Sequence, residues 1–333
     1  MLVVGGAGCY RLFPDQPYVG PWKRGAPSPI LRVEAPGCSV GGRLYVFGGF
    51  DSDELTVSRR VDVYDPAADR WSRAADLPLE VTHVMAAVDG ERVWLAGGFL
   101  GRHPGRAIAD VLVYDTARDA WSSGPSLPAA RAGGALVRSG RSLHYFGGFV
   151  DRDATSGSHW ELPLDDPAPA WRERAPLPEP RGHLAAAAFG ERILALGGQR
   201  NHDRDREDLA FVHAYDRAAD RWSERATLPT PRSHFDVSTI VAGGRVAIFG
   251  GRNEGRLPFW SRGRPLSAFA LRDVTVYDPD RDAWSERPRL PLGLLGPTAA
   301  VVDDRVVVVG GSSHMTAFPQ DDTYLLPVKD LLG

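Results

Sequence analysis

The chain has 333 residues, of which 43% are hydrophobic and 24% are charged, as is usual for globular proteins. Its formal net charge of −3 argues against nucleic acid as a partner, and no run approaches the ~18 apolar residues of a membrane span. Two cysteines, Cys9 and Cys38, are too few for a disulfide framework or a four-cysteine zinc site.

Residues 1–17 are predicted to be a leader that precedes the folded domain. The segment is apolar and lacks the basic start of a secretory signal. Gly6-Ala7-Gly8-Cys9 loosely resembles a lipoprotein cleavage box, so a truncated lipoprotein signal at Cys9 stands as an alternative to a loosely packed leader. The sequence therefore leaves both a cytoplasmic and an extracytoplasmic location open.

From residue 18 onward the chain repeats itself. Glycine pairs recur at steps of 49, 50, 50, 53 and 60 residues: Gly48-Gly49, Gly97-Gly98, Gly147-Gly148, Gly197-Gly198, Gly250-Gly251 and Gly310-Gly311. A tryptophan follows each of the first five pairs: Trp71, Trp121, Trp171, Trp222 and Trp284. Repeats of this length are typical of solenoids and propellers.

One unit, residues 81–128, contains four short runs of β-branched and aromatic residues separated by turn formers. The second run leads into Gly97-Gly98, the third ends at Tyr114-Asp115, and the fourth contains Trp121. The pattern predicts four antiparallel strands in each unit. In the third unit, Leu164-Asp165 stands where the other units have Tyr-Asp.

The order of strand, Gly-Gly, Tyr-Asp and Trp resembles the kelch repeat over roughly residues 18–328. This resemblance implies an all-β protein, a six-bladed kelch-type β-propeller with one blade for each glycine pair. The last unit lacks a tryptophan, whereas Tyr18–Trp22 looks like a fourth strand without the other three. We therefore expect this N-terminal strand to complete the C-terminal blade, in a single propeller domain of residues 18–333 that is monomeric.

The resemblance also implies that the loops before the first strand and after the second strand form a ligand face at one end of the central channel. Sixteen residues before each glycine pair, Arg32, Val81, Arg131 and Arg181 align, and arginine there is expected to be structural. Two residues later the equivalent positions are Glu34, His83, Gly133, His183, His234 and Gly296. The ring is expected to bring these six residues together at the channel mouth.

Three imidazoles and a carboxylate at one mouth suit either a small polar ligand or a single Cu, Fe or Zn ion held by His83, His183 and His234. The loops after the second strands add polar residues to the same face: Asp51, Asp53, His103, Gln199, Asn201, His202, Arg252, Asn253, Ser312, Ser313 and His314. The long fifth loop, which contains Trp260, is expected to be a lid or binding loop. The predicted ligand-binding residues are Glu34, His83, His183, His234, Gln199, Arg252, Asn253, His314 and Trp260.

Three functional hypotheses remain open at this stage. The first is binding of a small polar ligand, a carbohydrate or carboxylate, with Glu34, His183 and Arg252 as candidates for catalysis. The chain is similar in size and closure to sialic acid mutarotases, whose sites need a carboxylate and an arginine. The second is a metal-dependent oxidase, cyclase or isomerase with a three-histidine centre, and the third is a protein-interaction scaffold. Whether the protein is an enzyme is left undecided.

Overall fold

The computed structural model describes residues 20–52, 54–102, 105–151, 154–202, 206–253, 269–313 and 319–333. The predicted leader with Cys9 lies outside these ranges, as do Asp53, His103, Trp260 and His314.

Strands dominate the described residues. The chain begins with β1 (Lys23–Gly25) and continues through β2 (Gly37–Val40), β3 (Arg43–Phe47), β4 (Val61–Asp65), β5 (Arg70–Ala74), β6 (Val81–Thr82), β7 (Met85–Asp89), β8 (Arg92–Ala96), β9 (Phe99–Leu100), β10 (Arg106–Ala107), β11 (Val111–Asp115) and β12 (Ala120–Ser123). The middle of the chain forms β13 (Ala135–Ser139), β14 (Ser142–Phe146), β15 (His159–Pro163), β16 (Arg172–Glu173), β17 (Ala185–Phe189), β18 (Arg192–Leu196), β19 (Gln199–Arg200), β20 (Glu207–Asp208), β21 (Val212–Asp216) and β22 (Arg221–Glu224).

The last third forms β23 (Thr239–Ala242), β24 (Arg245–Phe249), β25 (Arg252–Asn253), β26 (Phe269–Ala270), β27 (Val274–Asp278), β28 (Ala283–Arg287), β29 (Thr298–Val302), β30 (Arg305–Val309) and β31 (Thr323–Pro327). A 3₁₀ turn covers Asp236–Ser238, and α1 covers Val328–Leu332. No helix in the described ranges has the length and apolar character needed to cross a membrane.

Within the described ranges, six antiparallel sheets of four strands form the blades. In order they are β2-β3-β4-β5, β7-β8-β11-β12, β13-β14-β15-β16, β17-β18-β21-β22, β23-β24-β27-β28 and β29-β30-β31-β1, hereafter blades 1 to 6. The first strands contact one another in the cyclic order β2, β7, β13, β17, β23, β29 and back to β2. The sheets are therefore arranged around one axis, as in a β-propeller, and the predicted all-β fold is confirmed.

The second strand of each blade is buried on both faces because each sheet is covered by its neighbours, and in all but blade 3 it is apolar after its first residue. In β30, the four valines after Arg305 are fully buried. Sheets buried on both faces favour such uninterrupted runs of β-branched residues over the alternation of a half-exposed sheet.

The ring closes through an N-terminal strand that begins directly after the predicted one, which was Tyr18–Trp22. Lys23 pairs with Leu325 and Gly25 with Thr323, so β1 begins after Trp22 rather than ending at it. The Trp22 indole is buried and donates a hydrogen bond of 3.2 Å to the carbonyl of Pro288. The same bond from tryptophan to the preceding blade occurs at the other five junctions: Trp71 to Ala26, Trp121 to Ala75, Trp171 to Pro125, Trp222 to Ala175 and Trp284 to Ala226. Trp22 thus takes the sixth equivalent place.

The third blade departs from the prediction in its alignment. Strand β15 pairs Leu162 with Leu143, which is the register that Tyr64 has with Leu44 in blade 1. Leu162, and not Leu164, therefore occupies the place of the repeat tyrosine. The turn between β15 and Trp171 is two residues longer than in blade 1, so counting back from the tryptophan gave the wrong residue.

The glycine pairs lie where neighbouring backbones approach most closely. A Cβ on Gly97 (φ 68°) would come within 2.4 Å of the carbonyl oxygen of Arg131 in the next blade. The adjacent Gly98 donates its N–H to that same oxygen at 2.8 Å. Only glycine combines this close approach with positive φ.

Candidate functional site

The six predicted mouth positions form the inner rim of one channel end. All six have left-handed backbone conformations, with φ between 47° and 58°: Glu34, His83, Gly133, His183, His234 and Gly296. Backbone hydrogen bonds of 2.8–2.9 Å join equivalent positions of successive blades, from Gly133 to His83, from His183 to Gly133, from Gly296 to His234 and from Glu34 to Gly296. The repeat thus places these residues together, as the sequence predicted.

Three histidines from three loops converge at this rim. The ring nitrogens offered by His83, His183 and His202 all lie within 4.8 Å of one another. Nε2 of His83 is 3.3 Å from Nε2 of His202. All three side chains are buried. His202 was expected only as a polar group on this face, and the structure places it at the centre.

His234 lies against this group in a different orientation. Its ring stacks on that of His183, with centroids 3.9 Å apart and planes 18° apart. Its Nδ1 is 2.8 Å from the hydroxyl oxygen of Ser233, which in turn donates to Asp208 at 2.5 Å. Desolvation, followed by repulsion from His183 and Arg252, lowers the pKa of His234 well below its ordinary value.

Two carboxyl groups border the histidines. Glu34 lies between two of them, with Oε2 at 3.4 Å from Nε2 of His83 and Oε1 at 3.5 Å from Nε2 of His234. Oδ2 of Asp236 is 3.5 Å from Nδ1 of His183. Burial raises the pKa of Glu34 to about 8, assisted by Asp236 and opposed by Arg252, and burial also raises the pKa of Asp236 to about 6. We call Glu34, His83, His183, His202, His234 and Asp236 the mouth cluster.

Hydroxyl groups fix two of the imidazoles. The residue before His83 is Thr82, whose hydroxyl oxygen is 2.9 Å from Nδ1 of His83. Ser233 has the same relation to His234. Because Nδ1 is held in this way, Nε2 of each ring is directed toward Glu34. Nε2 is therefore the nitrogen that each ring can offer to a ligand.

The residue directly after each glycine pair also faces this region. In blades 1 to 3 it is Phe50, Phe99 and Phe149, and in blades 4 to 6 it is Gln199, Arg252 and Ser312. The three phenylalanine rings pack edge-on against the imidazoles, from Phe149 at 4.9 Å of His202 to Phe50 at 5.9 Å of His83. The mouth therefore has an aromatic half and a polar half. These phenylalanines were not among the predicted site residues, although all three stand two residues after the first glycine of their pair.

Side chains of the polar half hold the backbone of the mouth cluster or act on its charges. The Gln199 amide donates to the carbonyls of Asn201 at 2.8 Å and His202 at 3.4 Å, which holds the loop that carries His202. Arg252 is buried with Nη2 at 3.7 Å from Oδ1 of Asp208, and its charge acts on Glu34 and His234. Asn253, in contrast, donates to the carbonyl of Pro231.

Arginines in the loops before the first strands, among them the predicted structural arginines, donate hydrogen bonds to backbone and side-chain oxygens nearby. Arg32, Arg181 and Arg232 are buried, and each donates to the carbonyl of the first glycine of its own blade, at 2.7, 2.7 and 3.1 Å. Arg131 instead contacts the hydroxyls of Ser156 and Ser158, at 3.0 Å each. These arginines hold the loops that carry the mouth cluster, and their role is structural, as predicted.

These features define a closed antiparallel β-propeller with an imidazole-rich mouth. The sequence model of the KLHDC2/KLHL20/DRC7 kelch-repeats domain matches residues 82–311, and that of the Kelch motif matches residues 31–78. The first match covers more than half of the chain. The chain belongs to the kelch-repeat family.

Individual relatives resemble parts of the chain. The Kelch-like protein terF of Aspergillus terreus is 30% identical over 133 residues, which are 39% of this chain and 27% of that protein. Kelch-like protein 36 of Mus musculus is 39% identical over 72 residues, 22% of this chain and 12% of that protein. The chain thus matches only a small share of these longer relatives. The solved structure of YjhT is similar to 91% of this chain and 97% of its own, with a TM-score of 0.72 and 15% identity, which shows the common fold alone.

Proposed function

We propose that this protein binds a small, uncharged, hydroxyl-rich ligand, such as a carbohydrate, at the mouth cluster. The observation that carries the proposal is a set of three buried acceptor oxygens, Oε2 of Glu34, Oε1 of Gln199 and Oδ1 of Asp236. None of them accepts a hydrogen bond from the described part of the chain. A buried polar atom without a partner costs about 1–3 kcal/mol, so hydroxyl donors from a ligand would be stabilising here.

The charges at the mouth favour a neutral ligand over an anionic one. Two carboxyl groups, Glu34 and Asp236, line the site, while the guanidinium of Arg252 lies beside the carboxylate of Asp208. Burial disfavours negative charge at this mouth, as the raised pKa values of Glu34 and Asp236 indicate, and the one nearby cation already lies beside an acid. Of the two predicted ligand classes, a carbohydrate is therefore favoured over a carboxylate.

The aromatic half supports the same class of ligand. Phe50, Phe99 and Phe149 are buried and form one wall behind the histidines. Small-molecule sites commonly combine such apolar walls with a few directed polar groups. A sugar ring has both an apolar face and hydroxyl edges, so it matches this division.

The surface gives less support to a protein-interaction scaffold. In the described ranges, the large hydrophobic side chains that are strongly exposed are Leu31, Val150 and Val241, with 39–45% exposure. They lie in blades 1, 3 and 5 respectively and so do not form one patch. Interfaces that bind partners usually present a contiguous apolar surface.

Saturation-transfer NMR with a panel of neutral monosaccharides and the corresponding uronic acids would test the proposal. We expect neutral sugars to bind, and Glu34→Met and Gln199→Leu, which remove the acceptor oxygens, to weaken binding by roughly 3- to 10-fold each, the effect of one hydrogen bond. Glu173→Met, on the exposed strand β16, serves as the matched control and should bind like the native protein. Binding of the uronic acids alone, or equal binding by all variants, would contradict the proposal.

A further inference from the structure

We propose that His83, His183 and His202 hold one divalent transition-metal ion of the zinc type at the channel mouth. The inference rests on the proposed function in that the metal would sit in the same ligand site and add a cofactor to it. It differs from the sequence-predicted ligand set, which contained His234 in place of His202.

The spacing of the three rings fits a single tetrahedral ion. With Zn–N bonds of 2.0–2.1 Å, two ligand nitrogens are about 3.3–3.4 Å apart, and two ring centroids are about 5.2 Å apart. Nε2 of His83 is 3.3 Å from Nε2 of His202. The three centroid separations are 4.8 Å for His83 and His183, 5.2 Å for His83 and His202, and 5.4 Å for His183 and His202. All three values lie close to the tetrahedral one.

The same geometry excludes His234 from the ligand set. Its ring lies face to face with that of His183, with centroids 3.9 Å apart and planes nearly parallel. Two imidazoles on one tetrahedral ion have centroids about 5.2 Å apart. The 3.9 Å separation of His183 and His234 is too short for this, whereas His183 and His202, whose planes are also nearly parallel at 20°, are 5.4 Å apart. His234 is instead a neighbour that limits the movement of His183.

The surroundings supply what metal-binding histidines need. Thr82 holds Nδ1 of His83, and Asp236 lies 3.5 Å from Nδ1 of His183, in the positions that outer partners occupy in histidine metal sites. Gln199 fixes the backbone of His202. All three rings are buried, and the phenylalanine wall packs against them.

Three protein ligands leave a fourth position open, as in catalytic zinc sites. Glu34 borders that position, because its Oε2 is 3.4 Å from Nε2 of His83. A ligand hydroxyl at the open position would therefore contact both the ion and Glu34. The site can orient a polar ligand as well as hold a metal.

The test uses the full chain after removal of metals with a chelator. Calorimetric titration with Zn²⁺ should give one site per chain, and Co²⁺ should give the visible absorption of a tetrahedral ion. His183→Asn and His202→Asn should weaken Zn²⁺ binding at least tenfold and remove the Co²⁺ absorption. His234→Asn should keep a stoichiometric Zn²⁺ site, because His234 is a neighbour of the ligands and not a ligand itself. His213→Asn, at a buried histidine of β21 outside the mouth cluster, is the control and should keep both signals.

Asparagine tolerates the left-handed conformation that His183 and His234 have, so variants at these positions should fold. Circular dichroism would verify the folding of every variant. No stoichiometric Zn²⁺ binding by the native chain would overturn the proposal. So would loss of binding in His234→Asn together with its retention in His202→Asn. The sugar titrations repeated with chelator present separate the two proposals, since they report on ligand binding whether or not the chain binds metal.

Discussion

At the scale of single residues, the side chains that break the repeat are the informative ones. His144 is the third residue of its strand, where the other blades have Tyr45, Trp94, Leu194, Ala247 and Val307. His159 begins the next strand, where four of the other blades have valine. The two rings are joined by a hydrogen bond of 3.0 Å between Nδ1 of His144 and Nε2 of His159, and Nδ1 of His159 is 3.1 Å from the carbonyl of Ala175.

This buried pair should make the stability of the protein sensitive to acid. Burial, and then repulsion from His159, lowers the pKa of His144 to about 3, and burial lowers the pKa of His159 to about 4. In the unfolded chain both titrate near pH 6.5. The unfolded state therefore binds more protons, and stability that is present above pH 6.5 is lost as the pH falls toward 4. Each histidine contributes at most about 1.4 kcal/mol per pH unit.

Urea unfolding at pH 7.0 and pH 5.0 would measure this effect. The double variant His144→Leu, His159→Val places the residues of other blades at both positions and should lose less stability on acidification than the native protein. Carboxylates that do not contact the pair contribute equally to both proteins and so cancel in the comparison. Glu161, whose Oε1 is 3.8 Å from Nε2 of His144, is changed together with the pair. A double variant with the native pH dependence would show that this pair is not responsible.

The candidate site could be predicted in part by the same comparison of equivalent residues. Counting from the glycine pairs found His83, His183, His234 and Glu34, because the fold repeats their positions. It placed His202 only on the same face, and could not show that His202 lies among the other histidines, because its loop is irregular and is held by Gln199. Nor could it find Asp236, which the 3₁₀ turn after His234 directs toward His183.

At the scale of elements, the third and fourth strands of most blades are joined to the preceding blade by an aspartate. In blade 2, Oδ1 of Asp119 accepts bonds from the hydroxyl of Tyr114 at 2.5 Å and from the backbone N–H of Ala75 in blade 1 at 2.7 Å. The same arrangement occurs with Asp69, Asp220 and Asp282, all in left-handed conformations. These contacts link neighbouring blades at their outer edges.

Blades 3 and 6 lack the tyrosine of this link for a physical reason. The residue equivalent to Ala75 is Pro125 before blade 3 and Pro288 before blade 6. Proline has no backbone N–H, so an aspartate would have no donor there. Leucine occupies the tyrosine place in both blades, as Leu162 and Leu326. The proline therefore explains why blades 3 and 6 have leucine in place of the repeat tyrosine.

Substitution of Asp119 would measure the strength of one such link. Asp119→Gly removes both hydrogen bonds while suiting the left-handed backbone, and should lower the free energy of unfolding by about 1–3 kcal/mol. Asp119→Asn should cost less, because its amide oxygen still accepts both bonds and asparagine tolerates φ of 50°. Chemical denaturation of the two variants would rank them. Equal stability of Asp119→Gly and the native protein would show that the link is not stabilising.

At the scale of the whole molecule, the sequence was sufficient for the architecture because every blade repeats the same signals. The glycine pairs, tryptophans and apolar second strands each predict the same strand order, so single errors such as that at Leu164 did not change the fold. The sequence also predicted that the N-terminus completes the last blade, because Trp22 stands in a fourth-strand segment that lacks the other three strands of a blade. The boundaries of β1 could not be predicted, since this strand has only three residues and none of them is β-branched or aromatic.

Ring closure should therefore depend on a short N-terminal segment. A variant that begins at residue 18 should unfold at the temperature of the full chain, because residues 1–17 are predicted to precede the domain. A variant that begins at residue 26 lacks Trp22 and β1. It should lose about 3–5 kcal/mol of unfolding free energy from the missing tryptophan alone. It also exposes the edge of β31, which favours association between chains.

Trp22→Phe retains the apolar contact with Phe249 but loses the hydrogen bond to Pro288, so it should lower the free energy of unfolding by only about 1 kcal/mol. Thermal unfolding and size-exclusion chromatography would rank the three variants. If the variant that begins at residue 26 were as stable and as monodisperse as the full chain, the ring would not be closed by this strand, and the six tryptophan bonds could not be equivalent.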